Sequence, residues 1–249
     1  MSRKPRNAPA ADADRSAVAN PPRGVIISPW ALIAESTTTM LSADEANRRY
    51  FRRAYQTGQH GWAAEEPSPY VVAFLRRLQA VVPGGRLLDV GCGEGRHAVA
   101  AAHLGFKVTA IDYEPLALTR ARRSARAEGA AGITFRRADV FRMPFPPGSF
   151  DGVVDFGCLH HQKKSSWPAY QAGILRVLKL EGFYLLSVFS PAFAMFRGSR
   201  RRWHIAQGAY RRCFTARDIR ALFGRDFEIL ELEEERRPGL WHSRMRRRC

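Results

Sequence analysis

Residues 87–95 read LLDVGCGEG, and this stretch decides the fold. The run from Leu87 to Val90 is apolar apart from Asp89, which predicts a buried strand. Three glycines follow at every second position, and glycine gives the loop backbone the freedom to approach a ligand closely. An alanine-rich helical pattern begins after the loop. The segment therefore predicts a strand, a turn and a helix that together hold a nucleotide-like ligand.

The spacing of the glycines disfavours two common nucleotide-binding motifs. A dinucleotide fingerprint has glycine at its first, third and sixth positions, and the sixth position counted from Gly91 is Arg96. The interpretation as an NAD site is weakened accordingly. A phosphate-binding P-loop ends in lysine followed by serine or threonine, and the segment has no such pair.

Acidic residues also occur at the ends of the next two predicted strands. The run KVTAID at 107–112 ends in Asp112, at the distance from the glycine loop where doubly wound folds place an acid on ribose hydroxyls. The run ITFRRADV at 133–140 carries Asp139. Acids at strand ends also serve as turn residues or helix caps. Their register with the glycine loop nevertheless favours a ligand-binding edge of the sheet.

These motifs resemble those of the class I S-adenosylmethionine (SAM)-dependent methyltransferases, and the resemblance covers residues 81–190. It implies an α/β, doubly wound, Rossmann-like fold with helices on both faces. The expected sheet has seven strands in the order 3-2-1-4-5-7-6, with strand 7 antiparallel. Residues 150–157 and 182–189 match the fourth and fifth strands. Alternation at 227–233 and 240–246 predicts the last two.

The resemblance also implies a site for SAM as the cofactor. Its amino-acid half would lie in the glycine loop, its ribose at Asp112 and its adenine at Asp139, with Trp62 in a lid. The expected cofactor-binding residues are Asp89, Gly91, Cys92, Gly93, Gly95, Asp112, Tyr113, Asp139, Val140, Asp155 and Trp62.

His160 and His161 are the candidate catalytic residues, because the resemblance places their loop nearest the transferred methyl group. An imidazole of ordinary pKa, ~6.5, takes a proton from a hydroxyl or a thiol. The alternative is that one histidine caps or packs against the following helix.

The chain divides into three parts. Residues 1–24 predict a disordered basic tail, because they lack apolar periodicity. Residues 25–80 predict an N-terminal helical segment and cofactor lid, of which 50–75 are similar to the leader of the thiopurine and tellurite-resistance methyltransferases. Residues 81–249 form the predicted methyltransferase domain, with a basic, irregular insert at 190–213 over the substrate.

The net charge of +17 raises the question of a nucleic-acid partner. The segment 197–220 alone holds eight arginines and one acid, with aromatic residues between them. Such a segment suits RNA binding, so an RNA methyltransferase is the alternative function. A solvated arginine-rich face is favoured. The predicted function is therefore methyl transfer to oxygen, sulfur or another soft atom of a small molecule.

The four cysteines have no metal-ligand spacing, which favours a reduced, cytoplasmic protein without a metal site. No apolar stretch approaches the ~20 residues of a membrane-spanning helix, so no membrane partner is expected. The sequence leaves the oligomeric state and the identity of the acceptor open.

Overall fold

A computed structural model describes residues 45–58, 60, 62 and 66–249 of the chain. The predicted tail at 1–24, and the predicted lid up to residue 44, lie outside these residues. Residues 45–57 form helix α1. The other helices are α2 (Pro69–Val81), α3 (Arg96–His103), α4 (Pro115–Ala127), α5 (Trp167–Val177) and α6 (Ala216–Phe223). The strands are β1 (Arg86–Val90), β2 (Lys107–Asp112), β3 (Ile133–Arg137), β4 (Phe150–Phe156), β5 (Leu178–Phe189), β6 (Trp203–Ala206), β7 (Ala209–Arg212), β8 (Phe227–Glu235) and β9 (Leu240–Arg247).

Seven strands form one sheet in the order β3-β2-β1-β4-β5-β9-β8. This arrangement confirms the predicted order, because β6 and β7 belong to a separate hairpin and β9 is the predicted seventh strand. The first five strands run parallel, and β9 is antiparallel to both of its neighbours. Parallel strands place their carboxyl ends at one edge of the sheet. The glycine loop and the ends of β2, β3 and β4 therefore meet there.

Helices cover both faces of the sheet, as predicted. Side chains alternate along β1, so Leu87 packs in a core with α2 and α3, whereas Leu88 and Val90 pack in a second core with α5 and α6. Helix α6 begins at a capping box formed by Thr215 and Asp218. In the described part of the chain, no helix is both long enough and apolar enough to span a membrane.

The insert at 190–213 is more regular than predicted. Strands β6 and β7 pair antiparallel in a two-stranded hairpin. Its turn residues, Gln207 and Gly208, have φ angles of 53° and 84°. Two positive φ angles in a two-residue loop are typical of a type I′ turn, which suits the twist of paired strands. The expectation of an irregular insert was therefore wrong for 203–212.

Candidate active site

The glycine loop joins β1 to α3 at the carboxyl edge of the sheet. Gly93 has a φ of 54°, and a Cβ atom on it would lie 3.0 Å from the hydroxyl of Tyr55. Gly95, the N-cap of α3, has a φ of 87°. Positive φ strains other residues, so these positions require glycine. The backbone N–H of Cys92 donates to the carbonyl of Ile111 at 2.9 Å, which ties the loop to β2.

Asp89 and Asp112 place two carboxylates beside this loop. Asp112 accepts hydrogen bonds from the backbone N–H of Gly93 at 3.0 Å and of Glu114 at 2.9 Å. Asp89 is buried, and its Oδ2 finds no hydrogen-bond partner among the described residues. Burial, with repulsion from Asp155 and Asp112, raises the pKa of Asp89 to about 7. Burial raises the pKa of Asp112 to about 6.

These raised pKa values indicate the charge of the ligand that the loop would bind. Ionised carboxylates that are buried near one another repel, and a positively charged ligand relieves that repulsion. A pyrophosphate would add to it. The electrostatics of the loop therefore favour a cationic ligand and disfavour a dinucleotide.

A cavity of about 40 Å³ lies between the ends of β2 and β3. Five predicted cofactor residues line it: Gly91, Asp112, Tyr113, Asp139 and Val140. Arg48 of α1 also lines the cavity, with its Nη2 atom 2.7 Å from Oδ2 of Asp139. The guanidinium lies 5.0 Å from the centre of the Tyr113 ring. Helix α1 thus lies over this part of the site.

An aromatic lid, which consists of Tyr50, Phe51, Tyr55 and Trp62, continues the cover. Its neighbouring ring centroids lie between 5.2 and 6.1 Å apart. The indole N–H of Trp62 donates to the hydroxyl of Tyr55 at 3.1 Å. At the other end, the Phe51 ring lies 4.8 Å from that of His161. The lid therefore extends from the glycine loop to the candidate catalytic residues.

Asp155 does not face the site as the other predicted acids do. Its side chain is fully buried and accepts hydrogen bonds from the hydroxyls of Tyr170 at 2.6 Å and Tyr184 at 3.2 Å. The backbone N–H of Cys158 donates to its other oxygen at 2.8 Å. These bonds hold the loop after β4, so we assign Asp155 to positioning that loop rather than to direct contact with a ligand.

The two histidines of the turn Leu159–His161 have different environments. The buried ring of His160 stacks on Phe189 at 3.6 Å, and its Nδ1 accepts a hydrogen bond from the Phe189 N–H. Nδ1 of His161 lies 2.9 Å from the carbonyl oxygen of Tyr210. Because a carbonyl only accepts, this nitrogen carries the proton, and Nε2 of the neutral ring keeps a lone pair.

Neither histidine has the ordinary pKa that the sequence analysis assumed. Packing around the rings lowers the pKa of His161 to about 4 and that of His160 well below its usual range. The positive charge of Arg211 adds to both shifts. Both rings are therefore neutral at pH 7 and are weak bases.

Two side chains join α1 to the β6–β7 hairpin above the histidines, and we call these contacts the roof. Asn47 donates to the carbonyl of His161 at 3.1 Å and accepts from the N–H of Tyr210 at 2.8 Å. Nη2 of Arg211 donates to the hydroxyl of Tyr50 at 2.6 Å. The same guanidinium lies 4.8 Å from the centre of the Tyr50 ring.

Comparison with known proteins decides the family. Residues 87–182 match a family model described as a methyltransferase domain. An uncharacterized methyltransferase of Schizosaccharomyces pombe is 34% identical over 118 residues, which cover 47% of this chain and 78% of that protein. The chain belongs to this methyltransferase family. It is a SAM-dependent enzyme, which confirms the predicted activity and cofactor.

Two further relatives of this methyltransferase are informative. The 27-O-demethylrifamycin SV methyltransferase of Amycolatopsis mediterranei is 34% identical over 145 residues, which cover 53% of each chain. A crystal structure of the 1,6-didemethyltoxoflavin-N1-methyltransferase of Burkholderia thailandensis superposes with a TM-score of 0.67 at 23% identity. That match covers 84% of this chain and 90% of the other, and it shows a shared fold.

Sequence reasoning missed three polar residues of the candidate site: Asn47, Arg48 and Arg211. The last two were hidden among forty basic residues. A signal for Arg48 was present, because it precedes Phe51 and Tyr55 by three and seven positions and so shares their face of α1. Arg211 shares a face of the hairpin with His204, its partner in register, and that face became evident only with the hairpin.

Proposed function

We propose that this methyltransferase transfers a methyl group to an oxygen, a sulfur or another soft atom of a small molecule. The observation that carries the proposal is the roof. Asn47 and Arg211 bridge α1 and the hairpin within hydrogen-bond distance, directly above His161. Binding of single-stranded nucleic acid needs an open groove along its backbone, whereas the roof covers His161 with contacts between α1 and the hairpin.

The residues around the glycine loop fit SAM, whose sulfonium and ammonium groups are both positive. Asp89 offers a buried carboxylate oxygen without a partner among the described residues, at a place where negative charge is concentrated. In this proposal Asp89 and the glycine loop hold the amino-acid half, and Asp112 accepts the ribose hydroxyls. Asp139 and Val140 lie at the adenine end of the site, beside the cavity that Arg48 covers.

The acceptor side needs few chemical groups. SAM supplies a methyl group on a sulfonium, and an acceptor atom takes it by in-line displacement as the C–S bond breaks and its electron pair stays on sulfur. The protein's tasks are to position the acceptor and to exclude water. The aromatic lid excludes water. We place the acceptor beside His161, on the side of the site that the β6–β7 hairpin covers.

We assign different roles to the two histidines. Nε2 of His161 accepts a hydrogen bond from a hydroxyl or thiol of the acceptor, orients it, and takes up its proton as the methyl group is transferred, so His161 is the proposed catalytic residue. A weak base suffices for this step, because the protonated product is a strong acid. His160 has its Nδ1 bound to the Phe189 N–H and its ring stacked on that side chain. His160 is therefore a positioning residue, whose ring lies 4.5 Å from that of His161.

The named relatives support a small acceptor. The names of the rifamycin and toxoflavin enzymes each specify a small molecule. The RNA alternative rested on clustered arginines, but Arg202 forms an ion pair with Asp218 and Arg212 lies over the Trp167 ring. Arg200 and Arg201 remain exposed. A cytoplasmic location stays a prediction.

Transfer of a tritiated methyl group from labelled SAM tests the proposal. The wild-type protein is incubated with pools of small hydroxylated or thiol compounds and, separately, with total RNA. The control replaces Arg200 and Arg201 with alanine. We expect label in small molecules, equal in wild type and control. Label in RNA that falls steeply with salt, and falls further in the control, would contradict the proposal.

A further inference from the structure

We infer that the acceptor is an anion, and that Arg211 binds its negative group beside His161. This inference rests on the proposed function and narrows the acceptor to hydroxylated aromatic acids. It concerns the binding of the acceptor and does not depend on how the methyl group is transferred.

The buried guanidinium of Arg211 has no counter-ion among the described residues. The residue is 9% exposed. Within the described part of the chain, it donates to the carbonyl of Ala206 at 2.9 Å and to the hydroxyl of Tyr50 at 2.6 Å, which are both neutral groups. Among the described residues no carboxylate lies within ion-pair distance of it, whereas the nearby Arg202 is paired with Asp218. Burying an unpaired charge is costly, and an anionic ligand offsets that cost.

Arg211 also has donors left for such a ligand. A guanidinium carries five N–H donors in a planar fork that matches a carboxylate. The bonds to Ala206 and Tyr50 occupy two of them. An oxyanion beside this side chain therefore gains charge-assisted hydrogen bonds without breaking the roof.

The position of Arg211 places this anion site next to the proposed catalytic histidine. Its neighbour in β7, Tyr210, accepts the hydrogen bond from Nδ1 of His161. The Tyr50 ring, which the Arg211 guanidinium covers, lies 5.2 Å from the Phe51 ring, and Phe51 packs against His161. One acceptor can thus place a hydroxyl at His161 and a negative group at Arg211.

The surrounding side chains indicate an aromatic acceptor. Phe51 of the lid packs against His161, Phe189 of β5 stacks on His160, and Tyr50 of the lid lies beside Arg211. Aromatic walls with a small number of placed polar groups are typical of sites for planar ligands. Salicylate has the required hydroxyl and carboxylate on one ring, and salicylamide is its neutral counterpart of the same shape.

Calorimetry on the full chain, saturated with S-adenosylhomocysteine, compares these two probes. We expect the wild type to bind salicylate at least about tenfold more tightly than salicylamide. Arg211→Gln should weaken salicylate about ten- to a hundredfold, the range for charged hydrogen bonds, and leave salicylamide unchanged. Arg211→Lys keeps the charge and should retain a preference for salicylate. Arg201→Gln, which removes the same charge from an exposed position, should behave as the wild type.

Several results would overturn the anion site. They are equal affinity for the two probes, no saturable binding of either, an equal loss of both in Arg211→Gln, or the same loss of salicylate in Arg201→Gln. Failure of the proposed function is a separate observation, namely absence of methyl transfer to any small molecule by a protein that binds SAM.

Discussion

Replacing Asp89 with asparagine should stabilise the protein while it weakens SAM binding. Asparagine keeps the shape of the side chain and removes its charge. The pKa of this carboxyl rises from 3.8 to about 7 on folding. At 1.36 kcal/mol per unit, its ionised form opposes folding by up to about 4 kcal/mol at pH 7 and above. The substitution removes that opposition, and it also removes a carboxylate that attracts a cationic ligand.

The pH dependence fixes the sign of the effect. When folding raises the pKa of a carboxyl, the free energy of unfolding falls as the pH rises from the unfolded pKa to the folded pKa, here from 3.8 to about 7. Urea unfolding without SAM should therefore show little difference between wild type and Asp89→Asn near pH 4, and the largest gain for the variant near pH 8. Calorimetry should show weaker SAM binding by the variant at pH 8.

Asp226→Asn is the matched control, because it removes one carboxylate beside Gln171, just before β8. It should leave SAM affinity unchanged. The reasoning is refuted if Asp89→Asn is no more stable than the wild type at pH 8, or if it binds SAM as tightly.

Three further predictions follow from the same geometry. SAM affinity of the wild type should rise between about pH 5.5 and 8. Asp112 and Asp89 ionise with pKa values of about 6 and about 7, and their ionised forms attract a cation. An affinity that calorimetry finds constant over this pH range would contradict the prediction. Gly93→Val should abolish SAM binding, since its φ is 54° and its Cβ would lie 3.0 Å from the Tyr55 hydroxyl; binding at wild-type affinity in a folded variant would refute this. Thr215→Ala should lower the free energy of unfolding, measured with urea, by about 1 kcal/mol through loss of the capping box, and should leave SAM affinity unchanged. A change in SAM affinity would contradict this and would show that α6 is coupled to the site.

The sheet was predictable because its evidence is local. Buried parallel strands are apolar, so β1 and β2 stand out, and their carboxyl ends must share an edge. Asp112 and Asp139 were predicted to reach one site for that reason. The hairpin was not predicted because its strands have only four residues each, and its turn, Gln207–Gly208, lacks the Asn-Gly or Asp-Gly pair that signals a type I′ turn most strongly.

The remaining site residues were not predictable because their contacts join distant parts of the chain. Arg211 and the hydroxyl of Tyr50 are separated by 161 positions. Asp155 occupies a strand position like that of the acids proposed to face SAM, but its carboxylate accepts hydrogen bonds from Tyr170 of α5 and Tyr184 of β5. No periodicity in the sequence distinguishes an acid that faces a ligand from an acid whose carboxylate accepts hydrogen bonds from two tyrosine hydroxyls.

The central claim is that the acidic glycine-loop site binds SAM through Asp112. Calorimetric titration of the wild type and of Asp112→Ala with SAM, and with NAD as the competing dinucleotide, tests it most directly. The account predicts saturable SAM binding by the wild type, a loss of about ten- to a hundredfold in the variant, and no NAD binding by either. Binding of NAD in place of SAM, or equal SAM affinity in the two proteins, would contradict it.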